Sequence, residues 1–237
     1  MQIEIWSDIM CPFCYIGKHH FEKALAQLSF QNELTIIYRS YQLNPDYYHL
    51  ENDTVYSMLS RTKGLPIEQA KEMTKQVQAM AANAGLKINF DSNVPANTKK
   101  AHELIHFASK YNLGSIVKEK LFEAHFVEGL NVEDLAVLLQ IAEASNLDVS
   151  LAEQALKEGR ETYAVNQDLQ EARNIGIRGV PFFLFDRKYA VSGAQPTDAF
   201  VEVLEKSFSE WKQHATSFKI ISDSENKLSC DDEGCKI

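Results

Sequence analysis

Asp8-Ile-Met-Cys11-Pro12-Phe13-Cys14-Tyr-Ile-Gly17 is the stretch that decides the fold. It follows a short apolar run, Ile3, Ile5 and Trp6, that closes at Ser7-Asp8. It leads into Phe21, Ala24, Leu25 and Leu28, apolar residues recurring at helical spacing. The two cysteines therefore fall at a strand-to-helix junction. Cys11 is expected at the helix N-terminus, where unpaired backbone N–H groups and the helix dipole favour an anion, here the nucleophilic thiolate. Cys14 lies one turn along on the same face, within reach to close a disulfide. Pro12 suits the first turn, where its missing N–H would have had no partner. The arrangement predicts exchange chemistry in which Cys11 attacks and Cys14 resolves the mixed disulfide.

Working outward, Leu34 to Tyr41 is β-branched and aromatic and reads as a second strand, closed by Asn44-Pro45. Strand, helix, strand opens a βαβ unit with a parallel pair and a right-handed crossover. From about 54 to 158 helix follows helix. Pro66 opens one that carries Ile67, Ala70, Met73, Val77 and Met80 and stops at Gly85. Ala101 to Ala108 and Ile116 to Phe122 mark two more. Asn131 is the expected cap of a helix carrying Leu135 to Ala142, and Ser150-x-x-Glu153 matches a capping box. The methionines and aromatics of this block are expected in its core. A helix over 161–174 then leads to an apolar strand at Phe182–Phe185, a turn at 186–188, a partner strand at Tyr189–Ser192, and an amphipathic helix from Thr197. The order β-α-β, helical block, α-β-β-α is that of an α/β thioredoxin fold with a large all-helical insertion after the second strand. It divides the chain into a discontinuous thioredoxin-like domain (1–50 and 159–215), a helical insertion (51–158) and a tail (216–237) holding Cys230-Asp-Asp-Glu-Gly-Cys235.

The chain has 237 residues, enough to bury a core without disulfides or metals, so its four cysteines are free for chemistry. Its net charge of −9 and lack of a basic run argue against nucleic acid and anionic membranes as partners. The N-terminus lacks the basic start and apolar stretch of a secretory signal, and no window approaches a membrane span. A cytoplasmic location is expected, where paired cysteines are more often catalytic than structural. A Cys₄ zinc site built from Cys11, Cys14, Cys230 and Cys235 fits poorly with the strand–helix setting of the first pair, and no metal is expected. There is no Ser-His-Asp arrangement, P-loop or dinucleotide fingerprint. His19, His20 and Lys18 read as exposed helix residues, and His102, His106 and His125 show no ligand spacing.

Gly179-Val180-Pro181 before an apolar strand, taken with the CxxC pair, resembles the thioredoxin superfamily. That resemblance implies a cis Val180–Pro181 bond facing the cysteines and a Val180 backbone offered to an extended substrate. Together with Pro95-Ala-Asn97-Thr98, Ala101-His102 and Val191-Ser-Gly-Ala-Gln195, the segments are similar to the FrnE branch of the DsbA family over about 1–212. The resemblance implies a disulfide oxidoreductase without a bound cofactor, acting on disulfide-containing proteins or peptides and on low-molecular-weight thiols, as a monomer or dimer. Some members carry a second pair like Cys230 and Cys235, here an expected auxiliary redox pair. Pro12, Phe13, Val180, Pro181, Asn97 and Thr98 are candidate substrate contacts, although Asn97 reads equally as a helix cap. Related 2-hydroxychromene-2-carboxylate isomerases and kappa-class glutathione transferases use glutathione and typically carry serine in place of the first cysteine. The alternative reading is thus a glutathione-dependent isomerase or transferase acting on a small aromatic compound, and glutathione is a candidate co-substrate in either case. A holdase whose groove near Val180 captures unfolded chains is a third reading.

Overall fold

Alternation along Gln2-Ile-Glu-Ile-Trp-Ser7 puts Ile3 and Ile5 on one face of a strand and Glu4 and Trp6 on the other, and both faces are covered. In the computed structural model, which describes residues 1–48, 50 and 53–215, this is strand β1 (Gln2–Ser7). It is followed by α1 (Pro12–Leu25), β2 (Thr35–Ser40), α2 (Val55–Lys63), α3 (Ile67–Ala84), α4 (Lys99–Ser109) and α5 (Gly114–Phe126). The chain continues with α6 (Leu135–Ala144), α7 (Val149–Glu158), α8 (Thr162–Asn174), β3 (Phe182–Phe185), β4 (Tyr189–Ser192) and α9 (Thr197–Ala215). The sheet order is β2-β1-β3-β4. β1 runs parallel to β2, with Ile3 opposite Ile36, and antiparallel to β3, with Ile5 opposite Phe183. This is the thioredoxin arrangement. The tail, with Cys230 and Cys235, lies outside the described residues.

One face of the sheet packs Ile3, Ile5, Phe183 and Phe185 against Phe21 and Ala24 of α1 and Phe200 and Leu204 of α9. The other face packs Trp6, Phe182 and Leu184 with Ala172 of α8 and Ile177. A separate core gathers Leu104, Val117, Leu121, Phe122, Phe126, Leu138 and Leu156 from the helices between β2 and α8. It also takes in Cys11, Cys14, Tyr15 and Ile16. Helix α1 therefore has its first turn in the helical core and its later turns in the sheet core.

Several sequence expectations are corrected. On α3 the buried stripe is Ala70, Thr74, Ala81 and Ala84, whereas Met73 and Met80 are exposed. At about 100° per residue, both lie some 60–80° round the helix from Ala70, on the edge of the stripe. Asp134 rather than Asn131 caps α6, its carboxylate accepting from the Ala136 N–H at 2.9 Å. Asn131 instead accepts from the Glu133 N–H at 3.0 Å, shaping the turn ahead. Asp148 rather than Ser150 caps α7 by accepting from the Leu151 N–H. The helix starts at Val149, so Ser150 already lies inside its first turn and the cap falls to Asp148, whose carboxylate reaches the N3 donor. Helix α2, with its Thr54–Ser57 capping box, was not separated out by periodicity.

One feature of the fold had no signature in the sequence. Arg39 of β2 donates to Glu4 of β1 at 2.6 Å and to Asp168 of α8 at 3.0 Å. The Asp168 carboxylate also accepts from the Ser40 N–H at 2.8 Å and pairs with His106 of α4 at 2.9 Å, and its carbonyl accepts from the Trp6 indole. Glu4 and Asp168 are each 1% exposed. Burial alone would raise Asp168, but its bonds with His106 and Ser40 and the Arg39 charge outweigh it and hold the group below its ordinary 3.8. A depressed carboxylate stabilises the fold above its unfolded value and loses that contribution as pH falls through the folded one. Asp168→Ala should therefore cost about 2–4 kcal/mol at pH 7, because it leaves the buried Ser40 N–H without its acceptor and Arg39 with Glu4 alone. In urea titrations from pH 7 to pH 2.5, the parent should lose stability mainly below about pH 4, and the variant less steeply there.

Candidate active site

The cysteine pair sits where the sheet core meets the helical core. Cys11 caps α1 from an extended conformation (φ −91°, ψ 109°), and Pro12 opens the first turn, as the sequence predicted. The Cys14 N–H donates to the Cys11 carbonyl at 2.9 Å, and the Cys11 N–H donates to the Asp8 carbonyl at 3.2 Å. Both cysteines are free thiols, 3% and 1% exposed. The Cys11 thiol points to the Val180 carbonyl, 3.6 Å from Sγ, and the Val180–Pro181 bond is cis. Phe13 is the open member of the motif, 37% exposed.

Gly17 explains how α1 can lie so close to Pro181. A Cβ at residue 17 would stand 2.9 Å from the Pro181 ring and 3.4 Å from the Ala194 backbone. Tyr15 anchors the same turn on the other side, stacked on Phe122 at 5.1 Å and Phe126 at 5.9 Å. The two candidate positions of the Val180 segment are thus brought to the cysteines. The other pair, Asn97 and Thr98, lies on the loop that reaches Asp8 behind the motif. Thr98 is 2% exposed and bonded to the Asp8 carboxylate. The Asn97 amide donates to the Pro45 and Tyr47 carbonyls and its oxygen accepts from the Gln42 side chain and the Lys99 N–H. Both side chains are engaged by the fold, tying the loop after β2 to the start of α4.

Burial, then a hydrogen bond and charge from Cys11, push the Cys14 thiol well above its ordinary range. The groups behind it were not singled out in the sequence. Asp8 is 1% exposed, accepts from the Leu43 N–H at 2.7 Å and faces His102 Nε2 at 3.4 Å. Burial would raise Asp8, but His102, Leu43 and Thr98 together hold it low. Burial lowers His102. Lys118 of α5 is 1% exposed, with its ammonium over the rings of Tyr38 at 5.1 Å and Phe122 at 5.7 Å. Lys18, expected on the surface, is 4% exposed and paired with Glu22 at 2.8 Å and with Glu119 of α5. Both lysines fall on apolar helix faces, Lys18 three residues before Phe21 and Lys118 four before Phe122, and that misplacement was the legible signal. His20 and His19 are half-buried, with His20 Nδ1 2.8 Å from the Gln195 carbonyl. Among the described residues, no three His, Cys, Asp or Glu side chains are grouped to hold a metal, and no helix is long and apolar enough to cross a membrane.

A CxxC pair at the start of α1, facing a cis-proline across a β2-β1-β3-β4 sheet, defines the thioredoxin class. Residues 2–205 match the DSBA-like thioredoxin domain, and the chain belongs to that family. It is 30% identical over 212 residues to the uncharacterized protein YwbO of Bacillus subtilis (strain 168), covering 86% of this chain and 96% of that one. It is similar to the crystal structure of a probable DsbA oxidoreductase, SCO1869, from Streptomyces coelicolor, with a TM-score of 0.83 and 32% identity over 100% and 99% of the two chains. At the level of fold it is also similar to the cytosolic disulfide reductase DsbM of Pseudomonas aeruginosa with GSH, with a TM-score of 0.63 and 15% identity over 88% and 100% of the chains.

Gly17→Ala tests the close approach. Alanine in place of a helical glycine gains up to about 1 kcal/mol, and overpacking against a rigid proline ring costs about 1–3 kcal/mol. Overpacking wins, and a net loss of about 1–2 kcal/mol is expected in urea denaturation. A gain in stability would mean that the helix can move away from Pro181 freely.

Proposed function

We propose that this protein is a thiol–disulfide oxidoreductase in which Cys11 attacks a substrate disulfide and Cys14 resolves the resulting mixed disulfide. The observation that carries this reading is the asymmetry of the pair. Both are buried, but Cys11 stands at the helix start against the carbonyl before Pro181, while Cys14 lies inside the first turn, where its thiol is held protonated by its surroundings. Such a pair attacks from one end and closes from the other. Phe13 and Leu43, the latter 53% exposed in the loop bonded to Asp8, offer apolar side chains beside the motif to an unfolded peptide or protein. Extended substrate would lie along the Val180–Pro181 segment, with Pro12 and Phe13 on its other side. Low-molecular-weight thiols, glutathione among them, would return the pair to its starting redox state, which suits a reducing cytoplasm. Cys230 and Cys235 are assigned an auxiliary role, exchanging with Cys11 and Cys14. The glutathione-dependent isomerase or transferase reading ranks second, because residue 11 is a cysteine competent for dithiol chemistry.

Equilibration in graded glutathione buffers, with thiol trapping and disulfide mapping by mass spectrometry, tests the reading. A Cys11–Cys14 bond should form at a defined potential. A value near about −270 mV makes the protein a reductant, and one near about −120 mV an oxidant. Cys11→Ser should abolish insulin-disulfide reduction, and Cys14→Ser should accumulate a mixed disulfide at Cys11. If Cys11→Ser keeps turning over a small aromatic glutathione substrate, the isomerase reading takes its place. The double variant Cys230→Ser/Cys235→Ser should slow turnover with disulfide substrates, and unchanged kinetics and potential would remove the auxiliary role.

A further inference from the structure

Lys118 is a buried cation without an anion. It is 1% exposed and forms no salt bridge among the described residues, although lysine is almost never fully buried unless paired. Two carboxylates are close enough to interact with it, Asp8 and Asp168, and both are committed elsewhere. Asp8 binds the Leu43 N–H, His102 and Thr98, and Asp168 binds Arg39, the Ser40 N–H and His106. Lys18 is close enough to repel it and is itself held by Glu22 and Glu119. His102 is also in electrostatic reach, and burial keeps it neutral near pH 7. What Lys118 has for company is aromatic: Tyr38 of β2 and Phe122, the ring on which Tyr15 stacks one residue after Cys14. Lys118 on Phe122, Phe122 on Tyr15 and the neighbouring Cys14 share one buried cluster, and Cys14 is the remaining group close enough to attract the ammonium.

We propose that Lys118 is the counter-ion of the Cys14 thiolate, the anion formed each time the Cys11–Cys14 disulfide closes or opens. The inference rests on the exchange chemistry proposed above. On closing, the Cys14 thiol loses its proton, its sulfur attacks Cys11 Sγ, and the Cys11–S bond to the substrate breaks. The leaving thiolate takes that electron pair and a proton equivalent to the one Cys14 released. The dithiol is oxidised by two electrons and the substrate disulfide is reduced. On opening, an incoming thiolate attacks Cys11 and Cys14 departs with the electron pair, so the same buried anion appears. Burial brings Lys118 down to about 8, so it remains mostly charged at pH 7 and can meet that anion. A neighbouring opposite charge raises the population of a buried anion by about 10- to 1,000-fold. The gain is offset in part because a stabilised thiolate is a weaker nucleophile, which leaves about tenfold in rate.

The test uses the full chain carrying Cys230→Ser and Cys235→Ser, so that two thiols remain, and Ellman's reagent as the disulfide. Attack by Cys11 releases one equivalent of thionitrobenzoate, and closure by Cys14 releases a second. Lys118→Met, which keeps the volume and removes the charge, should leave the first release within about twofold. It should slow the second about tenfold or more at pH 7 and move its pH dependence upward. An unchanged second release, or both releases slowed alike, overturns the role of Lys118. Should the methionine chain lose the first release, Lys118→Arg decides. With the first release intact, a retained second release supports the counter-ion and a lost one overturns it. Absence of any first release in the Lys118 parent would instead overturn Cys11 as the attacking thiol, and with it the proposed function.

Discussion

Helix α1 is held by two cores at once, and the geometry of the cysteine pair follows from that. Phe21 and Ala24 bury against the sheet, while Cys14, Tyr15 and Ile16 bury in the helical block. Large side chains such as Phe21 and Ile16 contribute about 1.5–3 kcal/mol each on burial, so neither attachment is readily given up. The helix can neither slide nor rotate without uncovering one set. Its first turn is therefore fixed against Pro181 on one side and Phe122 on the other, with Gly17 as the point of closest approach. Lys18 adds a charged tie from the same turn to α5.

That double attachment also sets the electrostatics. A cysteine at the edge of a lone thioredoxin sheet would face solvent on its far side, but here the helical block closes over Cys14 and adds His102 and Lys118 to the Asp8 of the β1–α1 junction. In a dry interior, charges interact strongly and unpaired polar groups are costly. The acid–imidazole pair is internally satisfied, whereas Lys118 is not. The helical block thus does more than enlarge the molecule, because it supplies the dielectric and the charge in which the second thiol works.

The parts that sequence made legible are those governed by local rules. Alternation in β1, helical spacing after Pro12 and the apolar Phe182–Phe185 run each report one element from its own residues, and the sheet order follows from their succession. The cysteine pair and Pro181 were legible because their chemistry is written in spacing and residue type. Caps were misplaced by two or three residues where two polar side chains compete at a helix start, Asp134 with Asn131 and Asp148 with Ser150. Lys18 and Lys118 were missed because a lysine on a helix is ordinarily solvated, and here tertiary packing covers them, Lys18 beside Glu119 of α5 and Lys118 under Tyr38 of β2. The bonds of Asp168 to Arg39, Ser40 and Trp6 join residues more than 120 positions apart, which no local pattern records.

Those long-range bonds bear on the order in which the chain takes shape. β1 can pair with β2 as soon as residue 40 is made, but its antiparallel neighbour, β3, begins only at Phe182. At cellular translation rates the interval is on the order of ten seconds. The helices between them make contacts that are local in sequence and can assemble early. During that interval one edge of β1 waits without a partner, a template for pairing with another chain. The helical block, whose contacts are local, can seat the first turn of α1 without β3, because Cys14, Tyr15 and Ile16 bury in it rather than in the sheet.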